Sequence, residues 1–350
     1  MLHLLYLICF LGFIFPKSKV LFAFQLVTIL IIFGGYNGDL DLNFYREQYY
    51  THYVPTGFFQ KFFSYLFIFF ENCNFSFEIV HLLIVLFSVL LLSIIICKLT
   101  DKIAYVLLIV LIFPFFENGW QLKNCIAMSI ILLALYWFYC NILSKEGSIF
   151  NYIIYILLLL LASQFHYVAV FFLSFLFINI KSNHLLIFCV FIDCLIIFFS
   201  RAIIEYCSKY MSSLNSYEDP ISTISFLITA LWQIIGTTII YINSRKNNCQ
   251  FNQFLIKGSF IMLLIIPFYE FSLVTMRLYK IWMVFAAIGF SYNNYSPIRC
   301  KLEKHRLIFN IYVIFSHVFY YIILPYLSHR DILFQILFND NFFMNNFERK

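Results

Sequence analysis

The stretch KVLFAFQLVTILIIFGGYNGDLDLNFYREQY, residues 19–49, joins an apolar run directly to a dense group of carboxylates, tyrosines and an arginine. Its first half, residues 19–35, has the composition of a helix inside a lipid bilayer. Its second half carries polar chemistry that is unusual beside a membrane helix and therefore suggests a function. The pattern predicts a helical membrane protein whose chemistry lies at the ends of its helices.

The composition of the chain extends this prediction to its full length. Of its 350 residues, 63% are hydrophobic and only 11% are charged, whereas soluble globular domains are about 25% charged. The chain is therefore too apolar for a soluble domain. We expect an all-α, polytopic integral membrane protein that forms one helical bundle.

Charge and cysteine usage exclude several other classes. The net charge of +6 comes from basic residues in short loops, without a polybasic run, so it bears on orientation in the bilayer and not on nucleic-acid binding. The ten cysteines are scattered without a Cys-x-x-Cys pair, which indicates neither a zinc site nor a disulfide framework. We expect no nucleic-acid partner, no metal and no cofactor.

Apolar runs repeat along the chain and predict about twelve membrane helices, although several are shorter than the ~20 residues that cross a bilayer upright. The runs lie near residues 2–16, 19–35, 77–97, 103–116, 125–143, 149–165, 167–180, 185–199, 223–243, 255–271, 278–294 and 307–325. The first run is expected to be a retained span, because a second run follows at once and no small-residue cleavage site precedes Lys17. Residues 58–71 leave three alternatives open: a membrane crossing, a re-entrant segment or an interfacial one.

The positive-inside rule orients the chain if residues 58–71 do not cross. The basic residues of the short loops then share the cytoplasmic side, and they are Lys17, Lys19, Lys98, Lys102, Lys145, Lys181, Arg245, Lys246, Arg299, Lys301, Lys304 and Arg306. Two long loops, residues 36–76 and 200–222, face outward together with a polar tail over residues 328–350. Because long loops between packed helices tend to be functional, residues 1–350 are predicted to form a single transmembrane domain with extracytoplasmic chemistry.

The first candidate site residues lie in the outward loop 36–76. Asp41, Tyr45 and Tyr49 recur every four residues, which places them on one face of a helix, and Asp39 and Arg46 lie beside them. One acid and two phenols in a row suit sugar binding or catalysis. The alternative is an ordinary loop in which an aspartate caps a surface helix and the arginine is a solvated charge.

A second motif places a cation at the start of a membrane helix. Lys123 and Asn124 directly precede the apolar run that begins at Cys125. A cation there opposes the helix dipole, so its position makes more sense if an anion binds between the dipole and the ammonium. A diphosphate would suit this position. The alternative is a lysine that merely extends its amine to the membrane interface.

The third motif is the short hairpin of residues 162–167, which contains His166. This histidine could orient a substrate or share a proton near neutral pH. A histidine beside an apolar run is also often a packing residue with satisfied hydrogen bonds.

The fourth motif combines Arg277 with Glu270 and Tyr279 at membrane depth. A charged arginine inside a helix costs at least ~2.5 kcal/mol on insertion scales, so such residues are functional candidates by default. The alternative is an internal Glu270–Arg277 ion pair that fixes helix packing. Arg201, in the second outward loop, could add to an anion or sugar groove, or be a solvated loop charge.

These motifs, in their order and spacing, resemble the EpsG family of Wzy-type polysaccharide polymerases over most of the chain. The resemblance is carried by the glycine, aspartate and tyrosine pattern from Gly38 to Tyr49, by Lys123-Asn124-Cys125-Ile126-Ala127, by the Leu-Ala-x-x-Phe-His pattern at residues 161–166, and by Arg277-Leu278-Tyr279. The chain departs from the family at Lys123, where arginine is common, and at residues 54–57, where Val-Pro-Thr-Gly replaces a frequent Glu-Pro. Lysine keeps the charge but lacks the bidentate guanidinium fork.

The resemblance implies a glycosyltransferase that acts on undecaprenyl-diphosphate-linked oligosaccharides at the outer face of the bacterial cytoplasmic membrane. It also implies a product of O-antigen, capsule or exopolysaccharide type, a fold compatible with GT-C-like glycosyltransferases, and a separate chain-length regulator and flippase as partners.

A compatible chemistry assigns roles to residues of three of the four motifs. Asp41 or Asp39 would act as general base, while Arg277 and Lys123 would stabilise the departing diphosphate. The tyrosines would contact the sugars. We predict a single-step transfer that inverts the anomeric configuration and needs no metal.

Three rival functions stay open at this point. A lipid-linked oligosaccharide flippase would need charged residues along a central path, whereas the polar clusters here fall at one membrane face. A ligase or single-sugar transferase would need the same acid, diphosphate clamp and lipid-accessible groove. A non-catalytic scaffold would tolerate replacement of Asp41 and Arg277.

Overall fold

The computed structural model describes residues 2–36, 38, 40–55, 61–113, 121–143, 147–208, 223–245, 249–270, 275–292 and 299–319. Every regular element within these ranges is a helix. The contacts between residues divide the chain into two compact units. Unit 1 comprises Met1–Phe172 and Asn310–Lys350, and unit 2 comprises Leu173–Phe309.

Unit 1 holds eight complete α-helices among its described residues. They are α1 (Leu2–Ile14), α2 (Lys19–Gly34), α3 (Leu40–Thr51), α4 (Lys61–Asn72), α5 (Phe77–Leu99), α6 (Ile103–Ile112), α7 (Leu122–Trp137) and α8 (Ile149–Ser163). Helix α7 continues without a break as a π-helix, Phe138–Leu143. A 3₁₀-helix, Tyr167–Asn179, begins in unit 1 and ends in unit 2.

The described part of unit 2 contains the remaining helices. They are α9 (Ser182–Ser208), α10 (Thr223–Ser244), α11 (Gln250–Leu263), a 3₁₀-helix (Ile266–Glu270), α12 (Met276–Tyr292) and the first half of α13 (Arg299–Val318).

Each predicted apolar run coincides with a helix or part of one, which confirms a helical membrane protein. Three helices among the described residues are long and apolar enough to cross a bilayer, with 22 or 23 residues each: Phe77–Leu99, Leu122–Leu143 and Thr223–Ser244. The other apolar helices in these ranges are shorter. The predicted number of about twelve crossings stays a prediction.

Helix α5 is the centre of unit 1. It packs against α2, α4, α6 and α7, and α7 packs in turn against α8. The Ser88 hydroxyl of α5 donates a hydrogen bond to the Cys125 carbonyl of α7 at 3.3 Å. Such a bond across two helices is favourable in an apolar surrounding, where neither group could bind water instead.

The connections α1–α2 and α5–α6 meet at one end of unit 1. Lys17 forms an ion pair with Asp101, and the Ala104 amide donates to the Pro16 carbonyl at 3.0 Å. The hydrogen bond from Lys17 lowers the pKa of the Asp101 carboxyl. Helix α2 begins at this end and α5 ends at it. The end of α2, the start of α5, and the helices α3 and α4 that connect them therefore belong to the opposite end of unit 1.

Unit 2 is built around α11, which packs against α9, α10 and α12. Gly258 of α11 lies directly against the ring of Trp282, and any side chain there would collide with the indole. The Trp282 indole N–H donates to the Ser259 hydroxyl at 2.9 Å. A missing side chain on one helix thus makes room for the largest side chain of its neighbour.

The long loops contain more helix than the sequence predicts. Residues 36–76 hold both α3 and α4, and α9 extends to Ser208, inside the predicted loop 200–222. Residues 209–222 and the predicted polar tail over residues 328–350 lie outside the described residues.

Candidate functional site

Helix α3 carries the first predicted motif, and its side chains become more buried toward its end. Asp41 is exposed in the first turn, Tyr45 is half-buried, and Tyr49 is fully buried. Residues four apart lie on one face but drift by ~40° per step, because an α-helix has 3.6 residues per turn. The three side chains therefore do not form an evenly exposed ridge.

Tyr49 fixes the end of α3 to the start of α5. Its hydroxyl donates to the Phe75 carbonyl at 2.7 Å, and its ring packs edge-on against Phe67 and Phe77. Burial raises the pKa of the Tyr49 hydroxyl to about 12, with a smaller contribution from the carboxylate of Glu71. Tyr49 has a packing role in this structure.

Arg46 is also engaged within the protein. Its guanidinium donates to the Asn43 side-chain oxygen at 2.8 Å, lies 3.6 Å from the Glu78 carboxylate, and stands 5.3 Å from the centre of the Phe77 ring. These contacts attach α3 to the first turn of α5. Its predicted substrate-binding role stays a prediction.

Lys123 lies next to two aromatic rings from different helices. Its ammonium is 5.6 Å from the centre of the Tyr45 ring on α3 and 5.3 Å from the centre of the Phe63 ring on α4. A cation within ~6 Å of a ring face is attracted by the electrons of that face. We call Lys123, Tyr45 and Phe63 the lysine cage. It joins the first and second predicted motifs.

The start of α7 offers further donors beside the lysine cage. Backbone N–H groups of a helix's first turn point out of its end, and the N-cap residue Gln121 makes no side-chain capping bond to those of α7. Asn124 is buried in the same turn. A helix N-terminus with a nearby cation suits a phosphate group.

His166 lies where α8 ends. The Val168 amide donates to its Nδ1 at 3.4 Å, which favours a neutral ring with the proton on Nε2. The neighbouring Phe165 ring stands 5.5 Å from the ring of Phe62 on α4. Helix α4 therefore touches the third motif through Phe62 and the second through Phe63.

The fourth motif lies in unit 2. Arg277 is half-buried in the first turn of α12, and the buried Tyr279 ring packs edge-on against Trp232 at 5.2 Å. Lys280, which the sequence did not single out, is almost fully buried next to them. Its signal was available, because a lysine near the start of the apolar run 278–294 is a functional candidate by the same rule as Arg277.

Three predicted residues cannot be placed with their side chains. Asp39 lies outside the described residues, and for Arg201 in α9 and Glu270 in its 3₁₀-helix only the helical backbone is described. Within the described ranges, no group of three or more His, Cys, Asp or Glu side chains could hold a metal ion. The metal-free mechanism stays a prediction.

Sequence comparison identifies a family for nearly the whole chain. A sequence model of the EpsG family matches residues 19–338. No curated protein and no solved structure matches the chain. The matched region includes α3, α4, the lysine cage and His166, as well as the motif on α12. The chain belongs to the EpsG family, whose members are Wzy-like polymerases.

Proposed function

We propose that this protein joins undecaprenyl-diphosphate-linked oligosaccharide repeat units into a polysaccharide at the outer face of the bacterial cytoplasmic membrane, which it crosses several times. Family membership supports the class of reaction. The observation that carries the site is the contact of Lys123 with Tyr45. It places a cation of α7 beside the helix that bears the Asp41 carboxylate.

The lysine cage and the start of α7 would bind the diphosphate of the donor. The ammonium supplies a positive charge, and the first turn of α7 supplies backbone N–H groups at a helix N-terminus. Both groups would stabilise the negative charge that grows on the diphosphate as it leaves. The rings of Tyr45 and Phe63 fix the ammonium in place, so little reorganisation is needed during the reaction.

Asp41 would act as the general base. A hydroxyl on the non-reducing sugar of a new unit attacks the anomeric carbon of the growing glycan, and Asp41 accepts the hydroxyl proton. The bond between that carbon and the diphosphate oxygen breaks, and its electron pair leaves with the diphosphate. Such a base typically contributes about 10²- to 10⁴-fold in rate. One displacement inverts the anomeric configuration.

Tyrosine side chains on α3 would contact the sugars. Tyr45 is half-buried beside Lys123, and Tyr50 is 57% exposed, so both can present a ring face or a hydroxyl to a sugar. Tyr49 is buried and would instead keep α3 in position. Asp41 and Tyr45 are separated by one helical turn, about 6 Å along the axis.

The test replaces the chromosomal gene by Asp41→Asn and measures polymer length on a gel, with the membrane level of the protein measured in parallel. Glu47→Gln is the matched control, because Glu47 is an exposed carboxylate on the same helix. We expect single repeat units with Asp41→Asn and normal ladders with Glu47→Gln. Normal ladders with Asp41→Asn would remove this residue from the site.

Lys123→Met and Lys123→Arg test the diphosphate site in the same assay. Arginine keeps the charge and should retain polymer, whereas methionine should leave mainly single units. Lys98→Met, which removes an exposed lysine at the end of α5, controls for the loss of one positive charge. Loss of even the single unit in any variant would point to flipping or an earlier step and contradict the proposal. The predicted role of Arg277 is tested by Arg277→Ala on the same gel.

A further inference from the structure

Helix α4 has two aromatic faces with opposite exposure. Phe63 and Phe67 are 0% and 2% exposed, whereas Phe62, Tyr65 and Phe69 are 48%, 55% and 60% exposed. The exposed residues follow a spacing of three and four, so they form one stripe along the helix. We call Phe62, Tyr65 and Phe69 the aromatic stripe. A soluble surface rarely exposes three large aromatic side chains side by side.

The described length of α4 argues against a transmembrane course for this helix. Its 12 residues span about 18 Å at the usual rise per residue. The hydrocarbon core of a bilayer is about 30 Å thick. Lys61 is the first residue of the described helix and Glu71 lies in its last turn, and charges at both ends of so short a segment would be costly inside the hydrocarbon.

The contacts of α4 hold it beside the first turn of a membrane-spanning helix. Helix α4 ends at Asn72 and α5, which is long and apolar enough to cross, begins at Phe77. The Phe67 and Phe77 rings are 6.1 Å apart and edge-on, and the two helices pack against each other. Helix α4 therefore lies at the same depth in the bilayer as the first turn of α5.

Charged pairs mark the polar boundary at the same level. His52 lies 2.9 Å from Glu71 at the end of α4, and Arg46 lies 3.6 Å from Glu78 in the first turn of α5. Charges of this kind belong at the headgroup level of a bilayer. Ile79, in the same turn of α5, is 45% exposed, so α5 presents an apolar side chain to its surroundings from its first turn.

We propose that α4 lies along the bilayer interface and that the aromatic stripe inserts into phospholipid at the boundary between headgroups and acyl chains. Aromatic residues, tyrosine in particular, are enriched at this depth because the ring is apolar and the hydroxyl can reach water. The buried face of α4 meanwhile supplies Phe63 to the lysine cage. This placement does not depend on the reaction that the protein catalyses.

The test places a tryptophan in the stripe and measures its depth. Tyr65→Trp and Phe69→Trp are made separately, each a replacement of one exposed aromatic side chain by another. Each protein is purified, reconstituted into phosphatidylcholine vesicles, and compared with the parent protein, whose four tryptophans give the background. The lipids carry bromine, a fluorescence quencher, either near the carbonyl end or near the middle of the acyl chains. Iodide serves as a quencher from water.

We expect the added fluorescence of both variants to be lost mainly to the shallow bromines. Leu90→Trp is the matched control, because Leu90 is exposed near the middle of α5, and its fluorescence should be lost mainly to the deep bromines. Three outcomes would overturn the proposal: quenching from the same depth as Leu90→Trp, quenching by iodide alone, or protection from every quencher. The last would mean that another protein surface covers the stripe.

Discussion

The ammonium of Lys123 lies 5.6 Å from the centre of the Tyr45 ring. Because the attraction involves the ring face and not the hydroxyl, Tyr45→Phe should keep the polymerisation rate near that of the parent. Tyr45→Leu removes the ring. A cation–π contact of ~0.5 to 2 kcal/mol corresponds to a decrease in elongation rate of about 2- to 30-fold, measured in membranes supplied with lipid-linked repeat units.

The same contrast applies to Phe63, whose ring centre lies 5.3 Å from the ammonium. Phe63→Tyr should be tolerated better than Phe63→Leu, provided that both variants accumulate to the parent level. If Tyr45→Phe were as damaging as Tyr45→Leu, the hydroxyl of Tyr45 would be the important group. Its contact with Lys123 would then not explain the function of the residue.

Arg46 and Glu78 allow the structural and the substrate-binding role of the arginine to be separated. Their side chains are 3.6 Å apart and partly exposed, and such pairs contribute up to about 1 kcal/mol. We expect Arg46→Met and Glu78→Gln each to lower the free energy of unfolding slightly, and the double variant to cost less than their sum. Thermal unfolding of the purified proteins in detergent measures this.

Polymer length then distinguishes the two roles. A purely structural arginine predicts similar, mild shortening in both single variants. Collapse to single repeat units with Arg46→Met alone, at a normal protein level, would assign Arg46 to the substrate as the sequence predicts.

Tyr49→Phe should weaken the protein without a specific effect on polymer length. The substitution removes the hydroxyl that donates to the Phe75 carbonyl at 2.7 Å, and a lost hydrogen bond of this kind costs about 1 kcal/mol. The pKa of the Tyr49 hydroxyl is raised from 10.0 to about 12, so its stabilising contribution is present below pH 10 and decreases as the pH rises toward 12. Unfolding curves at neutral and alkaline pH should show a smaller alkaline loss for Tyr49→Phe than for the parent. An equal loss in both proteins would contradict this assignment.

Much of the helical architecture could be predicted because backbone groups in hydrocarbon must be satisfied within a helix. The apolar runs therefore mark the helices, including Phe77–Leu99, which is long and apolar enough to cross a bilayer. The helices between residues 36 and 76 were harder to predict from the sequence. Helices α3 and α4 are neither continuously apolar nor long, so hydropathy alone could not separate them from a loop. Their ends depend on tertiary contacts such as that of Tyr49 with Phe75.

The sequence indicated the polar candidates for the site, but not the aromatic side chains that pack against them. Lys123 and Asp41 were found because charges beside apolar runs are conspicuous. Phe63 was not, because one phenylalanine among 47 carries no signal until α4 brings it to Lys123. The burial of Tyr49 was likewise hidden, since a four-residue spacing does not show which end of a helix is covered by its neighbour.

Gln233 of α10 provides a final test, now of unit 2. Its side-chain amide donates to the Met262 carbonyl at 2.5 Å, its side-chain oxygen accepts from the Tyr269 hydroxyl, and the residue is fully buried. Gln233→Leu removes a donor and an acceptor from an apolar surrounding, and we expect a loss of about 1 to 3 kcal/mol in the free energy of unfolding.

Tyr269→Phe should cost less, and the double variant of Gln233 and Tyr269 should cost less than the sum of the two single variants because they share one hydrogen bond. Thr238→Val, at an exposed threonine of the same helix, should change the free energy by less than about 0.5 kcal/mol. Additive losses for Gln233 and Tyr269 in thermal unfolding would show that the hydrogen bond between them does not contribute to the free energy of unfolding. The loss in Gln233→Leu would then come from its hydrogen bond to the Met262 carbonyl alone.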